Sequence, residues 1–545
     1  MPPRYIARRG WARRLLAAGR RLGEALDPPG TEYRLTRWLF LRLLGLVYAI
    51  AFLVSARQAG PLIGDEGLLP ARLYLDRAAA STAAPWLEVP TLLWISTSDG
   101  FLAGLAWLGF AGSLLLLAGY ASGLHLLILW VLYSSFVNAG QVFYGYGWEI
   151  LTLETGFLAV FLCPFGRGGW RHAAPPDRAL MWLLRWLLFR VIFGAGLIKL
   201  RGDPCWLDLT CLLHHYETQP IPNPLSPYLH ALPGLVHRAG VLFNHLVEVG
   251  APLLLFGTVR MRRLAGLLIV AFQGLLIASG NLSWLNYLTI ALCLPCFDDA
   301  WLRRLAPRPL KALLSREEEA ARAPGRGRRL AVGALTVAVV LLSAAPAANM
   351  LSSRQVMNTS YDRLNLVNTY GAFGHVGKVR REVVLLGTLD EPGPGGAVWR
   401  EYPFHCKPGD PSRRPCVVSP YHHRLDWQIW FAAMADYRSQ PWLVHLVYKL
   451  LHADPGALSL LAEDPFEGRP PRRIRADLYE YGFAPPGEPG WWRRRRLGEY
   501  LPALSAGDPA LRRVVEGFGW PLLPVPRQPP TALTPKAAGC PCGAG

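Results

Sequence analysis

Apolar residues in the first two thirds of the chain fall in unbroken runs, without the stripes or alternations that leave one face polar. Nine charge-poor runs stand out: Trp38–Ala56, Phe101–Gly119, Leu126–Phe143, Ile150–Phe165, Leu180–Leu197, Val241–Gly257, Leu264–Gly280, Trp284–Phe297 and Ala331–Ala348. Such runs predict helices surrounded by apolar material on all sides, and a bilayer crossing takes ~20 residues. Ile150–Phe165 and Trp284–Phe297 fall furthest short and are expected as re-entrant or bundle-buried pieces. With or without them the count is odd, which puts the termini on opposite sides of the membrane.

Beyond Asn349 the pattern becomes that of an aqueous domain. Arg381–Thr388, Ala397–His405 and Ile474–Phe483 read as strands, Leu425–Tyr437 and Trp442–Leu461 as amphipathic helices. The expected organisation is a basic N-terminus over 1–37, a transmembrane helical domain over 38–348 with lumenal loops 57–100 and 201–240, a lumenal α+β domain over 349–520, and a disordered tail over 521–545. The fold class is therefore a polytopic α-helical membrane bundle followed by a lumenal α+β domain.

Composition agrees. Of 545 residues, 52% are hydrophobic and only 17% charged, against ~25% charged in soluble domains. The net charge of +19 would suit nucleic acid if it gathered on one surface. It lies instead in short blocks between apolar runs, so the expected partner is the lipid bilayer and not nucleic acid. Residues 1–37 carry nine Arg against three acids and mark the N-terminus as cytoplasmic. Basic blocks then recur at 166–179, 259–263 and 298–329, while loops 57–100 and 201–240 hold three and two basic residues and at least as many acids. The alternation leaves the C-terminal domain on the side opposite the N-terminus. The N-terminal segment has no apolar core ahead of its arginines and does not read as a cleaved signal peptide.

Cysteine placement points the same way, because disulfides persist in oxidising compartments. Four of the nine cysteines, Cys205, Cys211, Cys406 and Cys416, fall in the expected lumenal regions. The pairs Cys205/Cys211 and Cys406/Cys416 would close small loops if bonded; reduced buried thiols are the alternative. The sequon at Asn358 lies just past the last run and is a candidate glycan site, whereas the sequon at Asn281 sits against two apolar runs and is expected to be too close to the membrane.

Ionisable residues inside the runs, Arg42, Glu154, Arg185, Arg190, His245 and Glu248, are functional candidates because charge is expensive in lipid; their mixed signs favour structural pairing, and His245 and Glu248 share a helical face. Cys293-x-x-Cys296 could be a redox pair but lies in an apolar run, which favours packing. His422 and His423 lack a second ligand pair, so no metal site is expected. Arg493–Arg496 after Trp491 and Trp492 reads as a solvated charge run, with contact to lipid headgroups or an acidic client as the alternative. Cys542 mimics a prenylation box with the wrong last residue. No nucleophile-elbow, zincin, phosphate-loop or dinucleotide motif is present.

Several long stretches resemble the lipase maturation factor family and together span most of residues 32–520. They are LTRWLFLRLLGLVYAIAFLVSARQAGPLIGDEGLLP, GWEILTLETGFLAVFLCP, FGAGLIKLRGDPCWLDLTCLLHHYETQPIPNP, SGNLSWLNYLTIALCLPCFDD, LLSSRQVMNTSYDRLNLVNTYGAFG and CKPGDPSRRPCVVSPYHHRLDWQIWFAA. The end after GWPLLP is more similar to the founding paralogue than to the longer second one. The resemblance implies an endoplasmic-reticulum membrane protein without cofactor or catalytic site. It would assist folding and dimer assembly of secreted lipases (lipoprotein lipase, hepatic lipase and endothelial lipase), with the loop between Leu200 and Gly240 and the C-terminal domain contacting the client. Family topology has five spans, so the expected range is five to nine. Two other classes stand beside it: a membrane enzyme related to vitamin K-dependent carboxylase, whose membrane region is distantly similar, and a transporter using the charged spans.

Overall fold

A computed structural model describes residues 26, 28, 30–165, 175–305, 325–391, 396–485 and 487–526. Arg167, Arg171, Cys542, most of the basic N-terminus and the tail beyond 526 lie outside the described residues. The first 351 residues form α1 (Arg34–Ile63), α2 (Ala71–Ser81), α3 (Asp99–Ala118), α4 (Gly123–Ala139), α5 (Gly147–Val160), α6 (Arg178–Arg201), α7 (Leu212–Thr218), α8 (Gly234–His245), α9 (Val259–Ser279), α10 (Leu285–Cys293), α11 (Arg326–Leu342) and α12 (Ala344–Leu351). Five helices are long and apolar enough to cross a membrane: α1, α3, α6, α9 and the joined α11–α12 over Arg326–Leu351. The protein is thus a multi-pass membrane protein.

The remaining runs are shorter pieces of the same bundle. α4 and Leu285–Cys296 are apolar but under span length. α5 has 12 of its 14 residues buried. The run Val241–Gly257, read as one helix, is interrupted: α8 passes into a π-helical turn at Leu246–Gly250 before resuming at Ala251–Leu254. Contacts between the ends of the runs gather on two faces of the bundle. On one face Gly123 meets Pro164, Arg328 meets Leu162 and Arg263 pairs with Asp298. On the other lie the loop after α1, the loop 201–240 and everything after α12.

Packing inside the bundle is close. α1 and α3 touch where Gly45 brings its Cα so near that an added Cβ would lie 2.7 Å from the Leu117 amide nitrogen, and Gly109 sits directly under the Phe52 ring. α1 lacks a side-chain cap of its own. The Asp299 carboxylate supplies one from elsewhere, accepting from the N–H groups of Arg34, Leu35 and Thr36 at 2.7, 3.0 and 3.2 Å.

The C-terminal region adds β1 (Arg380–Thr388), β2 (Arg400–Glu401), α13 (Arg424–Ala432), α14 (Pro441–Leu450), β3 (Arg473–Phe483), β4 (Trp492–Leu504) and α15 (Pro509–Gly517). The sheet is antiparallel with order β2-β1-β3-β4. Two expectations are corrected. The strand expected over Ala397–His405 contracts to two residues, since Pro403 can donate nothing to a ladder. The helix expected over Trp442–Leu461 ends at Leu450, where Asp454 caps a separate short turn by accepting from Ala457 N–H. The arginine run Arg493–Arg496, read as solvated, keeps Arg493, Arg495 and Arg496 exposed and lies at the start of β4. Each arginine meets an acid: Arg493 with Glu488, Arg494 with Glu401, Arg495 with Glu480 and Arg496 with Asp477.

Bundle and C-terminal region share one continuous buried core running from Tyr33 to Trp520. Two buried charge clusters join them. Glu154 on α5 pairs with Arg190 on α6, and its Oε2 accepts from the Asn368 N–H at 3.0 Å and the Tyr370 hydroxyl at 2.8 Å. An added Cβ on Gly194 would lie 2.6 Å from the Tyr370 carbonyl, so this backbone approaches α6 only because Gly194 is bare. Glu149, also on α5, accepts from Arg424 of α13 at 2.7 Å and from the Tyr133 hydroxyl; Arg424 further donates to the Phe143 carbonyl at 2.6 Å and lies 3.6 Å from the centre of the Tyr144 ring.

Both partners of the Glu149–Arg424 pair have no exposed side-chain surface, so removing one leaves an uncompensated buried charge, a loss of about 3–5 kcal/mol. Arg424→Met is therefore expected to lower the unfolding midpoint of the detergent-solubilised protein sharply. Arg438→Ala, which deletes an exposed pair with Asp436, should stay within about 0.5 kcal/mol of wild type. Equal midpoints for the two variants would contradict the seam.

Candidate functional site

The loop 201–240 and the sheet form one surface. Cys205 and Cys211 are bonded, with Cα atoms 4.8 Å apart. The loop they close turns Trp206 inward, where its indole N–H donates to the Phe373 carbonyl at 2.9 Å. Asp203 N–H donates to the Gly374 carbonyl at 2.8 Å. Arg380 on β1 then gathers the other end, donating to the carbonyls of Glu217, Gln219 and Pro220 at 2.8, 2.5 and 2.9 Å. Its charge is balanced by Glu382 at 2.6 Å, which also takes Lys407 at 3.0 Å. Such a buried triad, with Arg380 bonded to three loop carbonyls, fixes the loop's orientation on the sheet.

Asn281 carries the second sequon. It is buried and saturated: its amide donates to the Ile221 and Cys416 carbonyls at 3.3 and 3.0 Å, and its oxygen accepts from Val418 and Ser419 N–H at 3.0 and 3.1 Å. Asn358 is exposed, with φ +55°, and its side-chain oxygen faces Gly371 N–H at 3.4 Å. Cys406 and Cys416 are bonded, Cα atoms 5.5 Å apart. Between loop, segment 373–381 and α13 lies a cleft of ≈ 530 Å³ lined by His215, Phe373, His375, Lys378, Trp430 and Met434 among others. Within the loop 201–240, Leu207, Tyr228 and Leu235 keep 64%, 64% and 79% of their surface exposed.

The intramembrane candidates separate into different environments. Arg42 lies 3.6 Å over its own Trp38 ring and donates to the Trp38 carbonyl. Arg185 donates to the Pro295 carbonyl at 2.9 Å and the Tyr33 hydroxyl at 2.8 Å. His245 and Glu248 do not pair with each other. His245 Nε2 lies 3.0 Å from the Trp206 carbonyl, while Glu248, carried round by the π-turn, receives Lys199 Nζ at 2.6 Å on both oxygens and the Asn244 amide at 3.1 Å. Cys293 and Cys296 are buried and unbonded. His422 is enclosed by the rings of Tyr146, Trp148 and Trp427 at 4.9, 5.1 and 5.8 Å. Among the described residues no cluster of three His, Cys, Asp or Glu side chains is arranged for a metal.

Sequence reasoning missed Glu149, Lys199, Asn368, Arg380 and Arg424. Glu149 and Lys199 lie one and two residues outside the runs as drawn. The other three each make a bond to a residue more than 150 positions away, which no local pattern signals.

Burial holds four histidines of this face neutral: His215, His423 and His445 at about 4, and His422 well below its ordinary value. Unfolded, each would titrate near ~6.5. Below that pH the unfolded chain binds more protons than the folded one, so the stabilisation is complete above about pH 6.5 and is lost as pH falls toward 4. Melting curves between pH 7.5 and 5 should show this loss, steepening by about 1.4 kcal/mol per pH unit for each histidine. His445→Phe should start lower, since the 2.7 Å bond to the Leu68 carbonyl goes, but with a shallower pH slope; an unchanged slope would contradict the assignment.

Comparison with known proteins matches residues 35–304 to the lipase maturation factor transmembrane domain and residues 366–502 to the lipase maturation factor C-terminal domain. Lipase maturation factor 1 of Bos taurus is 48% identical over 520 residues, 89% of this chain and 91% of the relative. The Homo sapiens protein of the same name is 46% identical, covering 90% of each. Lipase maturation factor 2 of Homo sapiens is 32% identical over 89% of this chain and 85% of its own length. No solved structure matches. The chain belongs to the lipase maturation factor family, and it is more similar to these factor 1 relatives than to factor 2.

Proposed function

We propose that this chain is a membrane-anchored maturation factor of the endoplasmic reticulum that helps secreted lipases reach their active fold and dimeric assembly. Lipoprotein lipase, hepatic lipase and endothelial lipase are the expected clients. The observation that carries the reading is the match to relatives named lipase maturation factor 1 along some nine tenths of both chains. The bonded cysteine pairs and the sequon at Asn358 on one face support a lumenal C-terminal region and a cytoplasmic N-terminus.

The proposed mode of action is shielding. A partly folded lipase exposes apolar surface and unpaired strand edges that aggregate. Leu207, Tyr228 and Leu235 offer apolar contact on a loop held by the disulfide and Arg380, so little ordering entropy is lost on binding. The protein contributes no covalent chemistry in this reading. The buried pairs Glu154–Arg190 and Glu248–Lys199 support a structural use of the intramembrane charges over the carboxylase-like enzyme or the transporter.

Loss of the gene in lipase-secreting cells should leave lipase mass and lower the activity per unit mass; unchanged specific activity would sink the proposal. Re-expression of a Leu207→Asp, Tyr228→Asp variant should restore less than half of that activity at wild-type levels of the factor, and full restoration would place the client contact elsewhere. Glycosidase treatment should increase the gel mobility of wild type but not of Asn358→Gln. Equal behaviour of the two would remove the support that Asn358 lends to the orientation.

A further inference from the structure

α1 is longer than a bilayer's apolar thickness, and its last turns stand among polar groups of the C-terminal region. Arg57 lies about 29 Å beyond Trp38 along the axis at ~1.5 Å per residue, close to the ~30 Å depth of the hydrocarbon. Arg57 therefore sits where phospholipid headgroups begin. It is exposed and, among the described residues, has no hydrogen-bonded or ion-paired partner.

The neighbouring residue fixes it against the C-terminal region. Gln58 is buried, its amide donating to the Tyr421 hydroxyl at 3.1 Å and the His422 carbonyl at 2.7 Å, and its oxygen accepting from Arg424 N–H at 2.9 Å. This clamp closes one side of a cleft of ≈ 440 Å³ whose wall carries Arg57, His405, His423 and Tyr421 and whose floor includes Leu53 and Leu425. The two imidazoles stack face to face at 4.2 Å with planes 18° apart, and Tyr421 meets His423 edge-on at 5.0 Å. No ring nitrogen of His405 or His423 has a partner among the described residues. Burial keeps His423 neutral, at about 4, so it still offers one N–H. The Tyr421 hydroxyl, which accepts from Gln58, keeps its own proton to donate.

Guanidinium charge, imidazole N–H groups and a phenolic O–H on one wall above an apolar floor make a receptor for an anion that has several acceptor oxygens and an apolar body. We infer that the cleft between the end of α1 and the segment 405–425 binds a phosphate ester, with Arg57 as the charge partner and His405, His423 and Tyr421 as directional donors. A phospholipid headgroup and a free phosphate share this chemistry. The depth of Arg57 and the apolar floor favour the lipid. The site is independent of the client surface, which lies around the loop 201–240.

The test uses the full-length protein, delipidated in detergent and examined by native mass spectrometry with three probes: phosphatidic acid, phosphatidylcholine and inorganic phosphate. Phosphatidic acid should bind wild type at least tenfold more tightly than it binds Arg57→Gln or the double variant His405→Asn, His423→Asn, with Arg57→Lys in between. Inorganic phosphate that binds as tightly as phosphatidic acid would assign the same site to a free anion. Phosphatidylcholine bound equally well would overturn the headgroup charge selection, and undiminished phosphatidic acid binding by both variants would overturn the site. Arg57 is exposed, so an unchanged melting midpoint of Arg57→Gln without added lipid separates lost binding from lost folding.

Discussion

Two carboxylates on one short helix govern how this molecule is put together. Glu149 and Glu154 are buried on α5, a helix too short to cross a bilayer and almost wholly enclosed. A buried carboxylate is tolerated only with a cation and enough donors around it. Glu154 finds its cation within the bundle, Arg190, but completes its hydrogen bonds only with Asn368 and Tyr370. Among the described residues Glu149 finds its cation in Arg424, 275 residues downstream. The bundle is electrostatically unfinished until the C-terminal region has docked, so the two parts reach their final form together.

That dependence fixes the extramembrane face to the membrane. Arg201 donates to the Met350 carbonyl at 2.7 Å, Arg380 holds the carbonyls of the loop 201–240, and Asn281 holds the segment 416–419. Each of these contacts joins a helix end or a loop of the bundle to the C-terminal region or to the chain leading into it. A surface assembled this way presents its exposed apolar side chains in one orientation with respect to the bilayer, unlike a domain swinging on a linker.

The membrane character was legible because runs without charge have only one environment to occupy, and the alternation of basic blocks gave their relative direction. The charge pairs were legible one partner at a time. Glu154 and Arg190 stood out inside apolar runs, whereas Arg424 sits in an ordinary polar stretch and looks like any surface arginine. His245 and Glu248, placed on one helical face by a period of 3.6 residues, meet different partners because the π-turn at Leu246–Gly250 rotates Glu248 toward Lys199. β4 was hidden for a different reason. Its four consecutive arginines erase the alternation that marks a strand, and the acids that neutralise them come from β2, β3 and the turn before β4.

Exposure along the helices separates what lipid explains from what it does not. α1 and α6 are central, with 61% and 72% of their most apolar windows buried, while α3, α9 and Arg326–Leu351 are peripheral at 33%, 33% and 28%. The apolar surface of those peripheral helices, Leu108, Leu267 and Val340 among it, is the ordinary surface of a protein dissolved in hydrocarbon. Leu207 and Tyr228 belong to no spanning helix. They stand on the disulfide-closed loop and beside the sheet, where Tyr228 meets the edge of the Trp491 ring at 6.5 Å. Lipid packing does not account for them, and a rigid loop does not hide them by collapsing. Apolar side chains displayed on a fixed surface outside the spans mark a surface for contact with another molecule.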